Sequence, residues 1–238
     1  MNILITGHKG FIGAQLTKRL GDFHNVIGID KADGNDLLHC ELPDPHNVDI
    51  VIHLAGKSGV RQSLADPTSY WLNNIEASRR LFDKYKGKRI LYASSSSQYE
   101  PHLNPYAASK HCLEFLGASY PFTVGMRFHT VYSDVPREGM FFDKLKNKTL
   151  EYVTNHTRDF IHMDDCLDAI WLLVTNPDVI GCIDIGSGNS VQVRDYAPNL
   201  PIKLHTPHER QHTLADITHM KKLGFQPKHL SPRIEIIK

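Results

Sequence analysis

Tyr106 and Lys110 lie four residues apart in the segment Asn-Pro-Tyr-Ala-Ala-Ser-Lys, which runs from Asn104 to Lys110. If this segment is helical, the two side chains share one face of the helix. An ammonium group held beside a phenol favours the phenolate and lowers the pKa of the phenol from about 10 toward neutrality, where the phenolate can act as a base. The pair therefore predicts proton transfer at a substrate hydroxyl group while a cofactor takes the hydride.

Four serines, Ser94–Ser97, precede this pair. They follow residues 89–93, Arg-Ile-Leu-Tyr-Ala, which read as a buried strand. A serine hydroxyl at the end of that strand can hydrogen-bond the same substrate oxygen as the phenolate. Asn104 suits a helix N-cap and Pro105 the first helical position. Each feature alone is common, since Tyr-x-x-x-Lys occurs by chance in helices and most serine runs are solvated loops, so their combination carries the prediction.

The chain begins with a strand, a glycine-rich turn and a helix. Asn2–Thr6 is a short apolar run typical of a parallel sheet. Gly7, Gly10 and Gly13 follow it, and an amphipathic helix then extends to about Leu20. Glycines in such a turn let the backbone approach a pyrophosphate, which binds the free N–H groups of the helix start. This arrangement predicts a dinucleotide site.

Asp30 ends the second predicted strand, Asn25–Ile29, seventeen positions after Gly13. A carboxylate at this point suits hydrogen bonds to an adenosine ribose diol and would repel a 2′-phosphate. The residue therefore favours NAD over NADP.

The remaining pattern predicts an α/β fold, a Rossmann-like doubly wound parallel sheet that lacks a helix between its second and third strands. We expect further strands at 36–40, 48–54, 89–93, 122–128 and 181–186, and helices at 68–85, from Pro105, at 141–148, 164–175 and 215–223. From Ser190 to Pro207 the sequence indicates short segments only. No internal repeat or long linker divides the chain.

Length and composition bound the possible functions. A chain of 238 residues is one large domain, or one domain with a small lobe, and needs no metal or disulfide to fold. The formal net charge of +1 gives no reason to expect nucleic acid or an anionic membrane as a partner. The four cysteines form no Cys-x-x-Cys pair, no run of about 18 apolar residues spans a membrane, and a strand starts at Asn2. We therefore expect a cytoplasmic protein without a signal peptide or metal site.

These motifs together resemble the extended short-chain dehydrogenase/reductase family over nearly the whole chain, from Met1 to about Pro227, and within it most closely the UDP-glucuronate 4-epimerases. The segments that carry the resemblance are the glycine turn, Asp30, His53–Gly56, Gly59–Pro67, Tyr92–Ser97, Tyr106 with Lys110, Arg127–Tyr132, Arg158–Asp165 and Thr213–Asp216.

The resemblance implies a role for each matching position. Tyr106 would be the base, Lys110 its partner and Ser95, four residues before Tyr99, the catalytic serine. Cofactor contacts would fall on Gly7, Gly10, Phe11, Ile12, Gly13, Asp30, Lys31, Glu41, Leu42, Leu54, Ala55, Gly56, Asn74, Tyr106 and Lys110. Substrate contacts would fall on Lys57, Arg61, Ser96, Ser97, Thr130, Arg137 and Arg158. Of these, Ser96, Ser97 and Thr130 would meet a sugar carboxylate, and Arg137 and Arg158 the diphosphate. An arginine suits phosphate because its planar fork binds two oxygens at once.

Ser96 and Ser97 also discriminate between the chemistries of this family. Dehydratases carry an Asp-Glu pair at these positions and decarboxylases a Glu, whereas this chain has neither acid. The resemblance therefore implies an isomerase, an NAD-dependent 4-epimerase that passes through a 4-keto sugar. Two alternatives stay open: a net oxidoreductase such as a keto-sugar reductase, and a non-catalytic NAD-binding protein.

The chain departs from the family pattern by being shorter. Little of the usual loop separates Tyr99 from Asn104, Gln98 and Glu100 replace the common Val and Gly, and the lobe after Ser190 is trimmed. These departures imply a more open site. We expect an NAD-binding core at 1–129 with 160–186, a small substrate lobe at 130–159 with 187–238, and a homodimer built on helices 68–85 and 105–119.

Overall fold

The structure, a computed structural model, describes residues 1–232. Its strands are β1 (Asn2–Thr6), β2 (Asn25–Ile29), β3 (Ile50–His53), β4 (Arg89–Ser95), β5 (Thr123–Phe128), β6 (Thr130–Tyr132), β7 (Thr157–His162), β8 (Gly181–Ile185) and β9 (Ser190–Gln192). Its α-helices are α1 (Phe11–Gly21), α2 (Val60–Ala65), α3 (Pro67–Trp71), α4 (Ala77–Lys84), α5 (Pro105–Ala118), α6 (Phe141–Lys146), α7 (Met163–Thr175) and α8 (Thr218–Lys222).

The chain forms two compact units. The first comprises Met1–Arg127 and Trp171–Ile183, and the second Phe128–Ile170 and Asp184–Lys238. Positions 233–238, at the end of both this unit and the predicted lobe 187–238, lie outside the described residues. The assignment of cofactor and substrate to the two predicted parts stays a prediction.

A six-stranded sheet with the order β2-β1-β3-β4-β5-β8 organises the first unit. β1 pairs in parallel with β2 and with β3, and β3 pairs in parallel with β4. Ile3, Leu4 and Ile5 are fully buried, as expected for a parallel strand covered on both faces. Between β2 and β3 the chain forms only the 3₁₀ turns Lys31–Asp33 and Pro45–Asn47, which is the predicted omission of a helix.

The predicted strand at Asp36–Cys40 is wrong, because these residues form a tight turn. The N–H groups of His39 and Cys40 donate to the Asp36 carbonyl at 2.8 and 2.7 Å. The Asp36 carboxylate also accepts from the N–H of Leu38 at 3.0 Å. An aspartate that binds nearby backbone groups competes with a strand ladder. Leu37 is nevertheless buried in the core, so the apolar pattern reflected packing and not a strand.

Three other predicted elements differ at their boundaries. The strand predicted at 48–54 is the shorter β3, and it is the third strand of the chain instead of the fourth. The helix predicted at 68–85 is interrupted by a π-helical turn, Leu72–Glu76, between α3 and α4. The last helix, predicted at 215–223, is reduced to α8.

The second unit contains a small sheet that the sequence pattern did not predict. β6 pairs in parallel with β7, and β7 pairs antiparallel with β9. Its core is aromatic: the ring centroids of Phe142 lie 5.9 Å from Tyr132, 5.1 Å from Phe160 and 5.4 Å from Tyr196. β6 and β9 have three residues each, which is too short for an alternating pattern to stand out.

Candidate active site

The glycine turn between β1 and α1 leaves no space for side chains. Gly7 has φ +72°, and a Cβ atom at this position would lie 2.6 Å from the N atom of Ala55. A Cβ atom at Gly13 would lie 2.0 Å from the carbonyl oxygen of Gly7. Gly10 is the N-cap of α1 and has no side chain to satisfy the amides of the first turn. Those amides are therefore available to a phosphate group, and the turn fits the pyrophosphate of a dinucleotide.

The Asp30 carboxylate lies beside this turn. One oxygen accepts from the backbone N–H of Lys9 at 3.0 Å, and the other from that of Ala32 at 2.9 Å. Each carboxylate oxygen can accept a second hydrogen bond, so the group can also bind a ribose diol. The neighbouring Lys31 forms an ion pair with Asp36 at 2.8 Å, which holds its charge at the edge of the turn.

A buried hydrogen-bond chain fixes the ends of β1 and β3. The imidazole of His53 contacts the Thr6 hydroxyl at 2.6 Å and the Ser78 hydroxyl at 2.8 Å. Ser78 donates to the Asn74 carbonyl at 2.7 Å, so it accepts from His53 Nε2–H, and Nδ1 accepts from Thr6. Burial lowers the pKa of His53 to about 3, which keeps the ring neutral. This series of hydrogen bonds thereby holds Leu54–Gly56 against the glycine turn.

The π-helical turn directs the Asn74 side chain into the interior of the first unit. The Asn74 amide accepts from Lys57 N at 2.7 Å and donates to Lys57 O at 3.0 Å and to the Ser109 hydroxyl at 2.9 Å. Ser109 in turn donates to the carbonyl of Tyr106 at 2.8 Å. An irregular helical turn at a functional site is a recurrent device. In this structure Asn74 positions α5, and its predicted contact with the cofactor stays a prediction.

Helix α5 begins as the sequence predicts. The Asn104 side chain accepts from the Ala107 N–H at 2.8 Å, and Pro105 occupies the first helical position. Tyr106, in the first turn, is half-buried, and its ring meets that of Tyr70 edge-on at a centroid distance of 6.1 Å. The cap and this ring contact fix the direction in which the phenol leaves the helix.

Lys110, one helical turn later, is only 5 % exposed. Its Nζ donates to the Ala93 carbonyl at 2.7 Å. A Cβ atom built on Gly56 would lie 3.5 Å from the same Nζ, so the ammonium sits between the ends of β3 and β4. Burial lowers the pKa of Lys110 to about 8. The group can therefore change its charge near physiological pH, unlike an exposed lysine.

The serine run turns away from the end of β4 as a short 3₁₀ helix, Ser96–Tyr99. The Ser95 hydroxyl caps it by accepting from Ser97 N at 3.1 Å, which leaves the hydroxyl proton of Ser95 to be donated elsewhere. Ser95 and Ser96 are each 7 % exposed. Ser95 thus ends the strand to which Lys110 is bonded, as the sequence predicts for the catalytic serine.

Glu114 and Arg127 fix the serine run through hydrogen bonds. The sequence pattern indicated no role for either residue. Ser94 donates to Glu114 Oε1 at 2.6 Å, and Arg127 binds the same carboxylate through Nε and Nη2 at 2.9 and 2.8 Å. Arg127 also donates to the Tyr99 hydroxyl at 2.9 Å. The one available signal was the i,i+4 spacing of Lys110 and Glu114 on α5.

The predicted catalytic residues and the predicted cofactor residues all lie in the first unit. Four predicted residues have other contacts or positions there. Leu42 packs in the core, and Glu41 is exposed beside it. Lys57 Nζ donates to the Ser69 hydroxyl at 2.6 Å, and Arg61 is exposed on α2. Their predicted ligand contacts stay predictions.

Three predicted substrate residues lie in the second unit. Thr130 begins β6 and pairs with Phe160, and Arg137 is exposed in the loop before α6. Arg158 on β7 donates to Thr157 O at 2.9 Å and to His156 Nδ1 at 2.8 Å. The structure thus gives a fixed orientation to Arg158 and leaves Arg137 on a loop.

Two further findings concern residues 1–232, the part of the chain that the structure describes. Within this range, no group of three or more histidine, cysteine, aspartate or glutamate side chains is arranged to hold a metal ion. Over the same residues, no helix combines the length and apolar character that crossing a bilayer requires.

The sheet, the glycine turn and the Asp30 carboxylate define a dinucleotide-binding α/β protein. Residues 3–186 match the NAD dependent epimerase/dehydratase family, and the chain belongs to that family.

Relatives and solved structures agree with this assignment. The chain is 31% identical to protein CapI of Staphylococcus aureus, over 74% of this chain and 70% of the relative. It is 27% identical to UDP-glucuronate 4-epimerase of Thermodesulfobacterium geofontis, over 94% and 91%. The crystal structure of UDP-glucuronic acid 4-epimerase from Bacillus cereus, in complex with UDP-glucuronic acid and NAD, superimposes with a TM-score of 0.83 at 26% identity, over 100% of this chain and 99% of that one.

These comparisons confirm the predicted family resemblance, the fold class and the NAD cofactor. They also confirm the predicted class of enzyme, an isomerase of the epimerase type. The alignment with the Thermodesulfobacterium protein runs over 298 positions, more than the 238 residues of this chain. The relative therefore contains segments that this chain lacks, as the shortened loops predict.

Proposed function

We propose that this protein is an NAD-dependent 4-epimerase that interconverts UDP-glucuronate and UDP-galacturonate, with Tyr106, Lys110 and Ser95 as its catalytic residues. The observation that carries the proposal is the hydrogen bond from Lys110 to the Ala93 carbonyl, two residues before Ser95. It ties the helix that bears the phenol to the strand that bears the serine, in the unit that contains the glycine turn.

In the first half of the reaction, the Tyr106 phenolate accepts the proton of the sugar 4-hydroxyl group. The Lys110 ammonium stabilises the negative charge on the phenolate oxygen, since a cation in a site with little water acts strongly on a nearby anion. The Ser95 hydroxyl donates a hydrogen bond to the reacting oxygen. The chemistry that NAD supplies when bound is reversible hydride transfer at carbon 4.

In the second half, the 4-keto sugar rotates and presents its other face. Tyr106, now protonated, returns its proton to the oxygen on carbon 4, and the hydroxyl group is restored with inverted configuration. The proton that Tyr106 takes from the sugar is returned within the same cycle, so the net reaction is an isomerisation and needs no external oxidant or reductant. Ser96 and Ser97 cannot act as acids or bases in the way that carboxyl groups can, which favours this cycle over elimination of water.

The uronate assignment rests on the substrate residues. The hydroxyl groups of Ser96, Ser97 and Thr130 suit a sugar carboxylate, because each can donate one hydrogen bond to it. Arg137 and Arg158 suit the diphosphate. The Thermodesulfobacterium and Bacillus cereus proteins, 27% and 26% identical to this chain, are UDP-glucuronate 4-epimerases, and this similarity supports the same substrate.

Incubation of the purified protein with UDP-glucuronate and no added cofactor tests the proposal. We expect UDP-galacturonate to form, together with NAD released in about one equivalent on denaturation. UDP-glucose, which lacks the carboxylate, is the matched control and should react more slowly. If no nucleotide sugar is interconverted, the proposed activity is wrong. A stoichiometric change in NADH or NADPH absorbance would instead identify the net oxidoreductase.

The homodimer and the cytoplasmic location belong to the same proposal. Trp71 and Leu72 on one helical segment and Phe115 on α5 are 42, 45 and 67 % exposed, and such large apolar side chains are typical of a subunit interface. We expect a dimer in sedimentation analysis and a monomer for Phe115→Glu. Cell fractionation tests the location.

A further inference from the structure

His156, directly before β7, is a buried histidine that the proposed mechanism does not use. It is 3 % exposed. Its backbone carbonyl accepts from Val193 N at 2.9 Å, and the next residue, Thr157, donates its N–H to the Gln211 carbonyl at 3.0 Å. The backbone on both sides of the imidazole is therefore fixed, and the ring has a defined position in the second unit.

The hydrogen bonds of the ring determine its tautomer. Nδ1 lies 2.8 Å from Arg158 Nη2, and Nε2 lies 2.8 Å from the Thr206 hydroxyl. A guanidinium group can only donate, so Nδ1 must carry the lone pair and Nε2 the hydrogen. His156 thus accepts from Arg158 and donates to Thr206, whose oxygen also accepts from Gln211 Nε2 at 3.3 Å.

His156 Nδ1 completes the set of acceptors around the Arg158 guanidinium group. Arg158 Nη1 donates to the carbonyls of Thr157 and Gln211 at 2.9 and 3.3 Å, while Nη2 donates to His156. The plane of a guanidinium group determines where its remaining N–H groups point. Contacts at both terminal nitrogens fix that plane, and the imidazole of His156 supplies a side-chain contact at Nη2.

Burial and the charge of Arg158 lower the pKa of His156 to about 4. The charged and titratable groups that face the ring are Arg158 on β7 and, on the segment after Thr206, Glu209 and His212; Glu209 lies 3.7 Å from Nδ1 and opposes the shift. The ring is therefore neutral at physiological pH and keeps the lone pair that Arg158 requires.

We propose that His156 is a positioning residue that holds the Arg158 guanidinium in the orientation in which it binds the diphosphate of the nucleotide sugar. The inference rests on the proposed function, which makes Arg158 a diphosphate contact. It adds a residue that touches neither substrate nor cofactor and acts through Arg158.

Binding of UDP and of uridine to the NAD-loaded protein tests this role. His156→Phe keeps a planar ring but removes the acceptor, and we expect the Kd for UDP to rise about tenfold or more, the effect of one hydrogen bond to a charged group. The Kd for uridine, which has no phosphate, should change by less than about twofold. His156→Gln retains an acceptor and a donor, and it should bind UDP within about threefold of the wild type.

In steady-state kinetics His156→Phe should raise KM for the nucleotide sugar and leave kcat nearly unchanged, because the chemistry occurs at Tyr106. A purely structural role predicts instead that uridine and UDP binding weaken together. That result, or a folded His156→Phe protein that binds UDP as the wild type does, would overturn the inference.

Thr206→Val provides the test if the phenylalanine variant does not fold. It is nearly isosteric and removes the acceptor of His156 Nε2–H, which holds the ring in place beside Arg158, so we expect UDP affinity to fall about threefold to tenfold. Unchanged UDP affinity of a folded Thr206→Val protein would contradict the positioning role of His156 and leave the proposed function standing. A wild-type protein that binds no UDP and interconverts no nucleotide sugar would overturn the proposed function, and the present inference with it.

Discussion

Lys110 Nζ donates a hydrogen bond of 2.7 Å to the carbonyl oxygen of Ala93. This bond joins α5 to β4 at the point where the strand leads into Ser95. It also explains why a lysine is tolerated at a buried position, because the ammonium group retains one strong protein acceptor.

The pKa of Lys110 predicts how turnover depends on pH. The ammonium form stabilises the Tyr106 phenolate, and burial lowers the pKa of Lys110 to about 8. We therefore expect kcat to fall above about pH 8 as the ammonium loses its proton. Initial rates measured between about pH 6 and 10 check this. Lys110→Arg keeps its charge throughout, so any residual activity of that variant should lack the alkaline decrease; a wild-type rate that stays constant to pH 10 would contradict the assignment.

The same burial predicts that Lys110→Met does not destabilise the fold. The folded-state pKa of about 8 lies below the ordinary lysine value of 10.5, so folding disfavours the charged form by at most about 3 kcal/mol. This penalty is complete below about pH 8 and disappears as the pH rises to about 10.5. Loss of the bond to Ala93 offsets part of the gain.

Urea unfolding of the wild type and of Lys110→Met at pH 7 and pH 10 measures the effect. We expect the variant to be at least as stable as the wild type at pH 7, and its relative stability to decrease at pH 10. A difference in unfolding free energy that is independent of pH would show that folding does not lower the pKa of Lys110.

Gly13 and Gly21 form a matched pair on α1. A Cβ atom at Gly13 would lie 2.0 Å from the Gly7 carbonyl oxygen, whereas one at Gly21 would have no atom within 4 Å. Gly13→Ala must open the turn, and we expect NAD affinity to fall about tenfold or more. Gly21→Ala should retain NAD and gain up to about 1 kcal/mol of stability. The NAD content of both purified variants checks this, and equal content would argue against a pyrophosphate at the turn.

Glu114 is expected to stabilise the serine run through Ser94 and Arg127. Its side chain is 10% exposed, so Glu114→Gln leaves a partly buried arginine without its charged partner and should cost about 2 kcal/mol. Glu76→Gln is the control, because the Glu76–Arg79 pair is exposed at 47% on each side and exposed pairs contribute little. Urea midpoints of the two variants test the difference. Similar values for both would mean that the Glu114 pair is no stronger than a surface pair.

The sequence predicted the glycine turn, the end of β2 and the start of α5 well because their signals are local. Glycines in a turn, Asp30 at a strand end and the Asn104 cap each depend on neighbours in the chain. The turn at Asp36 was missed because Leu37 and Leu38 resemble a buried strand, and the side-chain hydrogen bond that forms the turn leaves no apolar pattern. The contact of His156 with Arg158 spans two residues, but it depends on the Thr206 segment, 50 positions later. No local pattern predicts such a contact.

The epimerisation rate of the Tyr106→Phe variant tests most directly the central claim, which is that Tyr106 is the general base. The change removes one hydroxyl group and keeps the ring that packs against Tyr70, so the variant should fold and retain bound NAD. Proton NMR of UDP-glucuronate incubated with each protein reports formation of UDP-galacturonate. We predict steady formation with the wild type and a loss of about 100-fold or more with the variant, as expected for removal of a general base. Turnover by Tyr106→Phe at the wild-type rate, with NAD still bound, would contradict the account.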